Sequence, residues 1–206
     1  MFIDESEWIR EKLAALALPA GSEVLNIGSS DEEFLSTQPH IEANVIAPLR
    51  RRGCRIANLD IRPAKPGDYS ADITEQGLPE KITRRFRLVL CTSLLEHVSD
   101  RKAALDNICS LAGSGGYILL TVPRRYPRHP DPIDTMYRPD AAELAGEILK
   151  RRAAEAVAVE TLEIRDPRHY YFLSRFPLWG YRKLIFWRRW FAWSRWKISC
   201  ALVRAG

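Results

Sequence analysis

The chain has 206 residues, 46% apolar and 28% charged, which suits one domain with a sizeable core and excludes a disordered polymer. No apolar run approaches the roughly 20 residues that cross a bilayer, and the opening Met-Phe-Ile-Asp-Glu lacks the basic-then-apolar layout of a secretory signal. The net charge of +5 is unevenly held: residues 165–206 carry ten Lys or Arg against Asp166 alone, +9, leaving −4 for the rest. A basic tail on a mildly acidic body suits a negatively charged partner, whether membrane surface, nucleic acid or phosphorylated substrate.

The elements follow from periodicity and punctuation. Residues 3–18 read as an amphipathic helix with Trp8, Leu13 and Leu16 at helical spacing and Asp4 or Ser6 as cap, stopped by Pro19-Ala20-Gly21. Its expected role is structural. Glu23–Gly28 is a buried strand and its turn. Gln38–Arg52 is a crossover helix with Ile41, Val45, Ile46 and Leu49 on one face, Pro39 setting its start and Pro48 leaving its end or continuity open. Cys54–Asp60 is a second strand, and Tyr69–Thr74 a short third. Leu88–Cys91 is the apolar run that a strand buried on both faces needs. A polar turn at Thr92-Ser93 follows, then Leu94–Val98, then a helix from an Asp100 cap to about Leu111. Gly113–Val122 is a fifth strand ending at Pro123, Ala141–Arg152 a helix, Ala154–Ile164 a strand and Trp196–Arg204 a closing strand. Cys54, Cys91, Cys109 and Cys200 form no CxxC pair and are expected as buried, reduced thiols of a cytoplasmic protein.

Leu95-Glu96-His97-Val98 after an apolar strand, with Gly115–Pro123 some twenty residues on, resembles the class I S-adenosylmethionine-dependent methyltransferases, closest to the broad small-molecule branch called type 11. The resemblance covers roughly residues 20 to 145. It implies a Rossmann-like, doubly wound seven-stranded α/β sheet of order 3-2-1-4-5-7-6, flanked by helices, with the last strand antiparallel. It also implies S-adenosyl-L-methionine as cofactor; the chain length and composition give a single domain over 1–206, carrying a basic aromatic insertion at about 166–195.

The donor contacts that the resemblance implies are Asn26, Gly28 and Ser29 in the first loop, Asp60 and Ile61 after the second strand, Asp72 and Ile73 after the third, and Cys91 and Thr92 after the fourth. Asp60 matches the carboxylate that accepts a ribose diol; Asp72 would meet the adenine amine, with Ile73 on the ring face. The loop departs from the family pattern, since Asn26 stands where an acid is usual and Ser30 and Glu32 replace later glycines. Plainer readings stand beside these: Asp60 as a turn acid before Arg62-Pro63, Asp72 as a cap of the next turn. Asp31, Glu32 and Glu33 would repel the pyrophosphate of a dinucleotide at a helix start, which favours the methyl donor; acids there also complement the helix dipole.

On the acceptor side, a long polar loop from Pro123 to Pro139 follows a strand end, a position more often functional than idle. His129, His97 and Asp134 are the candidate catalytic residues, with Asp131 and Tyr137 behind them. An internal role is the alternative, in which Asp131 and Asp134 pair with Arg128 and Arg138 to hold the loop. Glu96-His97 supports three readings: shaping the loop, proton transfer by a histidine titrating near neutrality, or half of a metal pair. Small-RNA 3′-end and some quinone-pathway methyltransferases carry Glu-x-x-Glu-His as a cation site. Ser93 replaces the first Glu here, and the reading adopted assigns no metal.

The expected activity is methylation of a hydroxyl on a glycan, a lipid-linked intermediate or a small molecule. A non-catalytic scaffold of the same fold and an RNA methyltransferase are the competing readings. Within 176–193 aromatic and basic residues interleave. That composition suits a helix lying on an anionic membrane, which would hold the protein at the inner face of the membrane. It equally suits a lid or oligomer interface, or base stacking on nucleic acid.

Overall fold

The computed structural model describes residues 1–28, 35–63, 65–129, 133–165 and 195–206. Within these, seven strands form one sheet of order β3-β2-β1-β4-β5-β7-β6. The strands are β1 (Glu23–Ile27), β2 (Arg55–Asp60), β3 (Tyr69–Ser70), β4 (Phe86–Thr92), β5 (Ala112–Arg125), β6 (Ala154–Glu163) and β7 (Lys197–Ala205). β1 to β5 are mutually parallel, and β7 enters antiparallel between β5 and β6. The order is the one the sequence implied.

The uninterrupted apolar run of β4 is explained by its two covered faces. Val89 and Cys91 join a core layer with Leu105 and Ile108 of helix Arg101–Leu111 and Leu144 and Ile148 of helix Ala141–Leu149. Leu88 and Leu90 face the other way, into a layer with Trp8, Ile9 and Leu13 of helix α1 (Ile3–Ala15) and with Val45 and Leu49. Successive strand side chains point to opposite faces, so a central strand needs an apolar residue at every position.

Several boundaries differ from the sequence reading, each for a local reason. Helix α1 ends at Ala15, and its N-cap is Phe2 rather than Asp4 or Ser6; Glu5 reaches back to accept the Phe2 N–H at 3.0 Å. The crossover helix is continuous through an α turn Pro39–Ile41, a π turn Glu42–Ile46 and an α turn Ala47–Arg51. The wide turn precedes Pro48, so the proline falls in a first turn, where no N–H is required. β3 stops at Ser70 because the Asp72 carboxylate binds both the Thr74 N–H and hydroxyl at 2.8 Å, an Asx turn that redirects the chain. β5 runs on through Pro123, past its last β4 pair at Thr92–Thr121, where it has β7 as its remaining neighbour. The helix after Asp140 ends at Leu149, and its start is a reciprocal cap between Asp140 and Glu143. Asp100 caps its helix as expected, accepting from Ala103 N at 3.0 Å.

At the far edge, β6 and β7 close with Ile164 N–H donating to Trp196 O at 2.9 Å. Arg165 is tied by its guanidinium to Asp4 and Glu7 of α1. The basic aromatic stretch 166–194 lies outside the described residues. The described residues on either side of it, Ile164 and Trp196, stand together at the end of the sheet where the parallel strands have their carboxyl termini.

Candidate functional site

In a doubly wound sheet, ligands bind beyond the carboxyl ends of the parallel strands, and most of the sequence-assigned residues fall there. On the β1–β2 side, Gly28 has φ +76, and a Cβ at that position would come within 3.1 Å of the Leu94 side chain. Only glycine fits this left-handed turn without displacing Leu94. Asn26 donates Nδ2 to Asn58 Oδ1 at 3.0 Å, and Asn58 is in turn held by Asp68; Asn26 keeps its own Oδ1 for a donor. Ser29 lies outside the described residues.

Asp60 ends β2 and is gripped by Arg62, whose Nε and Nη2 reach its two oxygens at 3.0 and 3.2 Å. Ile61 beside it is 73% exposed, an unusual degree for a large apolar residue. Asp72 is committed to its Asx turn. Ile73 is buried in the core rather than set out on a ring-binding face, and its carbonyl accepts from Asn107 at 2.7 Å. The Cys91 thiol is fully buried and pushed well above its ordinary value by that burial, so a contact from this position runs through the backbone. Thr92 is half-buried at the end of β4, in register with Thr121.

The acceptor side is assembled by stitching the loop after β5 onto the turn after β4. Thr135 donates both its N–H and its hydroxyl to the Glu96 carbonyl, each at 2.9 Å. This brings His97 and His129 together: their ring centroids lie 5.0 Å apart with planes at 86°. His97 Nδ1 meets the Ile133 carbonyl. His129 Nδ1 lies 3.3 Å from the Pro127 carbonyl and 3.2 Å from Asp134 Oδ2. All of these partners are acceptors, so each ring carries its proton on Nδ1 and leaves a lone pair on Nε2. Ser93 and Met136 flank the cluster with φ of 48° and 58°, a region costly for side-chain-bearing residues and one that recurs at functional sites.

Asp134 makes the loop-holding pairing that the sequence offered as the alternative, and it also lies beside His129. It faces His129, accepting the His129 N–H at 3.0 Å, and it pairs with Arg138 at 2.7 Å, which holds the loop. Burial alone would raise its pKa; Arg138 and the N–H groups of His129 and Met136 outweigh that and hold it well below the usual carboxylate range. Burial, with His97 adding to it, draws the His129 imidazole below its ordinary value. Glu96 is fully buried, and neither carboxylate oxygen has a hydrogen-bond partner. Burial first, and then the charge of Glu5, pushes it up to about 8. Asp131 lies outside the described residues.

Glu5 is the residue that the sequence reading missed. From α1 it is wholly buried, and it accepts from Ser93 Oγ at 3.3 Å and from the Thr121 hydroxyl at the head of the parallel strands. The helix read as purely structural thus inserts a carboxylate beneath the site.

The sheet order defines a class I methyltransferase fold, and comparison with known proteins supports that assignment. A family profile described as a methyltransferase domain matches residues 3–183. No curated protein matches the sequence. Among solved structures, the [4+2]-cyclase SpnF superposes with a TM-score of 0.63 at 13% identity, over 98% of this chain and 81% of that one. Coclaurine N-methyltransferase, solved with N-methylheliamine and S-adenosylhomocysteine, gives 0.60 at 17%, over 98% and 70%. The N-methyltransferase NodS of Bradyrhizobium japonicum WM9, solved with S-adenosylhomocysteine, gives 0.54 at 14%, over 98% and 86%. The chain belongs to the methyltransferase-domain family. The S-adenosylhomocysteine of the last two structures belongs to those proteins; in this chain the corresponding strand ends carry the left-handed turn at Gly28 and the exposed apolar side chain of Ile61.

Proposed function

We propose that the protein transfers the methyl group of S-adenosylmethionine to an oxygen of a hydroxyl-bearing small molecule, glycan or lipid-linked intermediate bound against Glu96, His97 and His129. The observation that carries this reading is the paired histidines, 5.0 Å apart, each anchored through Nδ1 and each offering an Nε2 lone pair. Methyl transfer is an in-line displacement at the sulfonium carbon that chiefly needs alignment. An oxygen acceptor must in addition shed a proton, and electron pairs at this place meet that need. Asn26 and Gly28 would hold the amino-acid portion of the donor, Asp60 the ribose, Ile61 the adenine face and Thr92 the methionine end. Arg165 and Trp196, which flank residues 166–194, lie beside α1 and Phe2, and the basic and aromatic composition of that stretch suits an anionic acceptor, including one at a membrane surface.

One observation favours a second reading, a non-catalytic module of the same fold: the Asp60 carboxylate is already engaged by Arg62. Calorimetry with S-adenosylmethionine and S-adenosylhomocysteine on wild type and Asp60→Ala separates the two. Micromolar binding, weakened at least tenfold in the variant, is expected. Absence of binding in both proteins makes the module reading the correct one. With donor bound, His129→Ala should lower kcat on a hydroxyl acceptor by about 10²–10⁴ while leaving the donor Kd unchanged.

A further inference from the structure

We propose that Glu96, His97 and His129 bind a divalent transition-metal ion, and that this ion receives the acceptor oxygen. Each of the three residues offers a ligand atom within 4.8 Å of the other two, and His97 Nε2 lies 3.8 Å from Glu96 Oε1. The second half of the proposal rests on the acceptor-site reading above; the first half stands without it.

Three independent features point to a cation. Glu96 is fully buried with both oxygens unpartnered. A bare carboxylate in such a place is costly and calls for a counter-charge. Its main chain is well held, since Thr135 bonds the Glu96 carbonyl twice; the side chain makes no hydrogen bond, with His97 Nε2 at 3.8 Å. Next, both imidazoles are oriented from behind. The Ile133 carbonyl holds Nδ1 of His97; the Pro127 carbonyl and Asp134 hold Nδ1 of His129. A carbonyl or carboxylate behind a ring, fixing its tautomer and aiming Nε2 forward, is the usual support of a metal-binding histidine. Finally, the charges suit the ion. Glu96 and Asp134 bring two carboxylates, and the Nη2 of Arg138 is paired with Asp134 at 2.7 Å.

The donor set selects the ion. Two imidazoles and one carboxylate suit zinc, manganese, iron or cobalt, whereas magnesium and calcium prefer all-oxygen shells. Ligands about 2.1 Å from one ion lie roughly 3–3.5 Å apart, so ligand atoms that stand as much as 4.8 Å apart close by up to about 1.5 Å on loading. Three protein ligands leave positions open. With the Nε2 lone pairs of both rings on the ion, a hydroxyl seated there would lose its proton to solvent more readily than in water, so the ion would take over the proton-shedding role that the free imidazoles have above. Its oxygen then forms the new bond to the methyl carbon as the carbon–sulfur bond breaks, and the bonding pair returns to sulfur, neutralising the sulfonium.

The test is direct titration of chelator-stripped, full-length protein with cobalt, manganese or zinc chloride, each alone, followed by calorimetry and, for cobalt, by visible absorption. One equivalent is expected to bind with micromolar or tighter Kd, at least tenfold more tightly than magnesium chloride. The near-isosteric Glu96→Gln and the substitution His129→Ala should each weaken binding at least tenfold and abolish the cobalt bands, with folding checked by circular dichroism. Failure of the wild type to take up any of the three ions at 100 µM overturns the site, as does undiminished binding in both variants. Metal uptake by a protein whose methyl transfer is insensitive to a chelator overturns the second half of the proposal and leaves the site. Metal uptake without any donor binding removes the methyltransferase reading and leaves the site likewise.

Discussion

Glu5 occupies the same helical stripe as Trp8, Ile9 and Leu13, where apolar side chains belong. Its carboxylate accepts from the Phe2 N–H, the Ser93 hydroxyl and the Thr121 hydroxyl. Removing it leaves buried donors without an acceptor, each a cost of order 1–3 kcal/mol. Glu5→Ala should therefore lower stability by about 3 kcal/mol in urea unfolding, and Glu5→Gln, which keeps one acceptor oxygen, should recover part of it. An unchanged midpoint in Glu5→Ala would show that this carboxylate carries no load. The spacing 5, 8, 9, 13 was legible in the sequence as a stripe, and a Glu on it was the available signal of a buried polar anchor. His129 and Asp134 were legible because a polar loop after a strand end concentrates chemistry. The isolation of Glu96 was not, because it depends on what surrounds the side chain, and the sequence shows only its neighbours along the chain.

The turns between elements carry the strain. Gly28 at φ +76 and Ser93 at φ 48 end the two central strands, and Leu94 packs over the first of these turns. Gly28→Ala adds a left-handed penalty of roughly 1–2 kcal/mol and makes the Leu94 side chain, 3.1 Å from the new Cβ, give way. S-adenosylhomocysteine affinity should fall at least tenfold, and the thermal midpoint should drop by several degrees. Retention of full affinity would mean that the donor does not approach this turn. At this scale the sequence was a good guide wherever periodicity spoke, as in β4 and the helix capped by Asp100. It failed where one side chain redirects the backbone: the Asx turn at Asp72 cuts β3 to two residues, and Pro48 is accommodated by a π turn rather than a break. The strand order was legible through the resemblance; no local pattern states which strand lies beside which.

For the molecule as a whole, the two apolar layers enclose all four thiols. Burial raises each of them, Cys109 to about 11 and the other three upward as well. Thiolate is the reactive form, so the native protein should give no rapid reaction with a disulfide reagent, and four thiols should react once it is unfolded in urea. A fast thiol in the native state would show that one of the layers opens readily.

The hydrogen bond from Ile164 to Trp196 has a further consequence, for chain topology. Two strands whose ends already touch need only a tight turn between them, so a short turn in place of residues 166–194 would join them without rerouting the described fold. Loop-closure entropy favours the short version by about 1–2 kcal/mol. A deletion variant carrying a four-residue turn should then unfold later than the parent if that stretch stands apart from the sheet, and earlier if it lies against it. One melting curve would thus separate a segment that works at the protein's surroundings from one that belongs to its body.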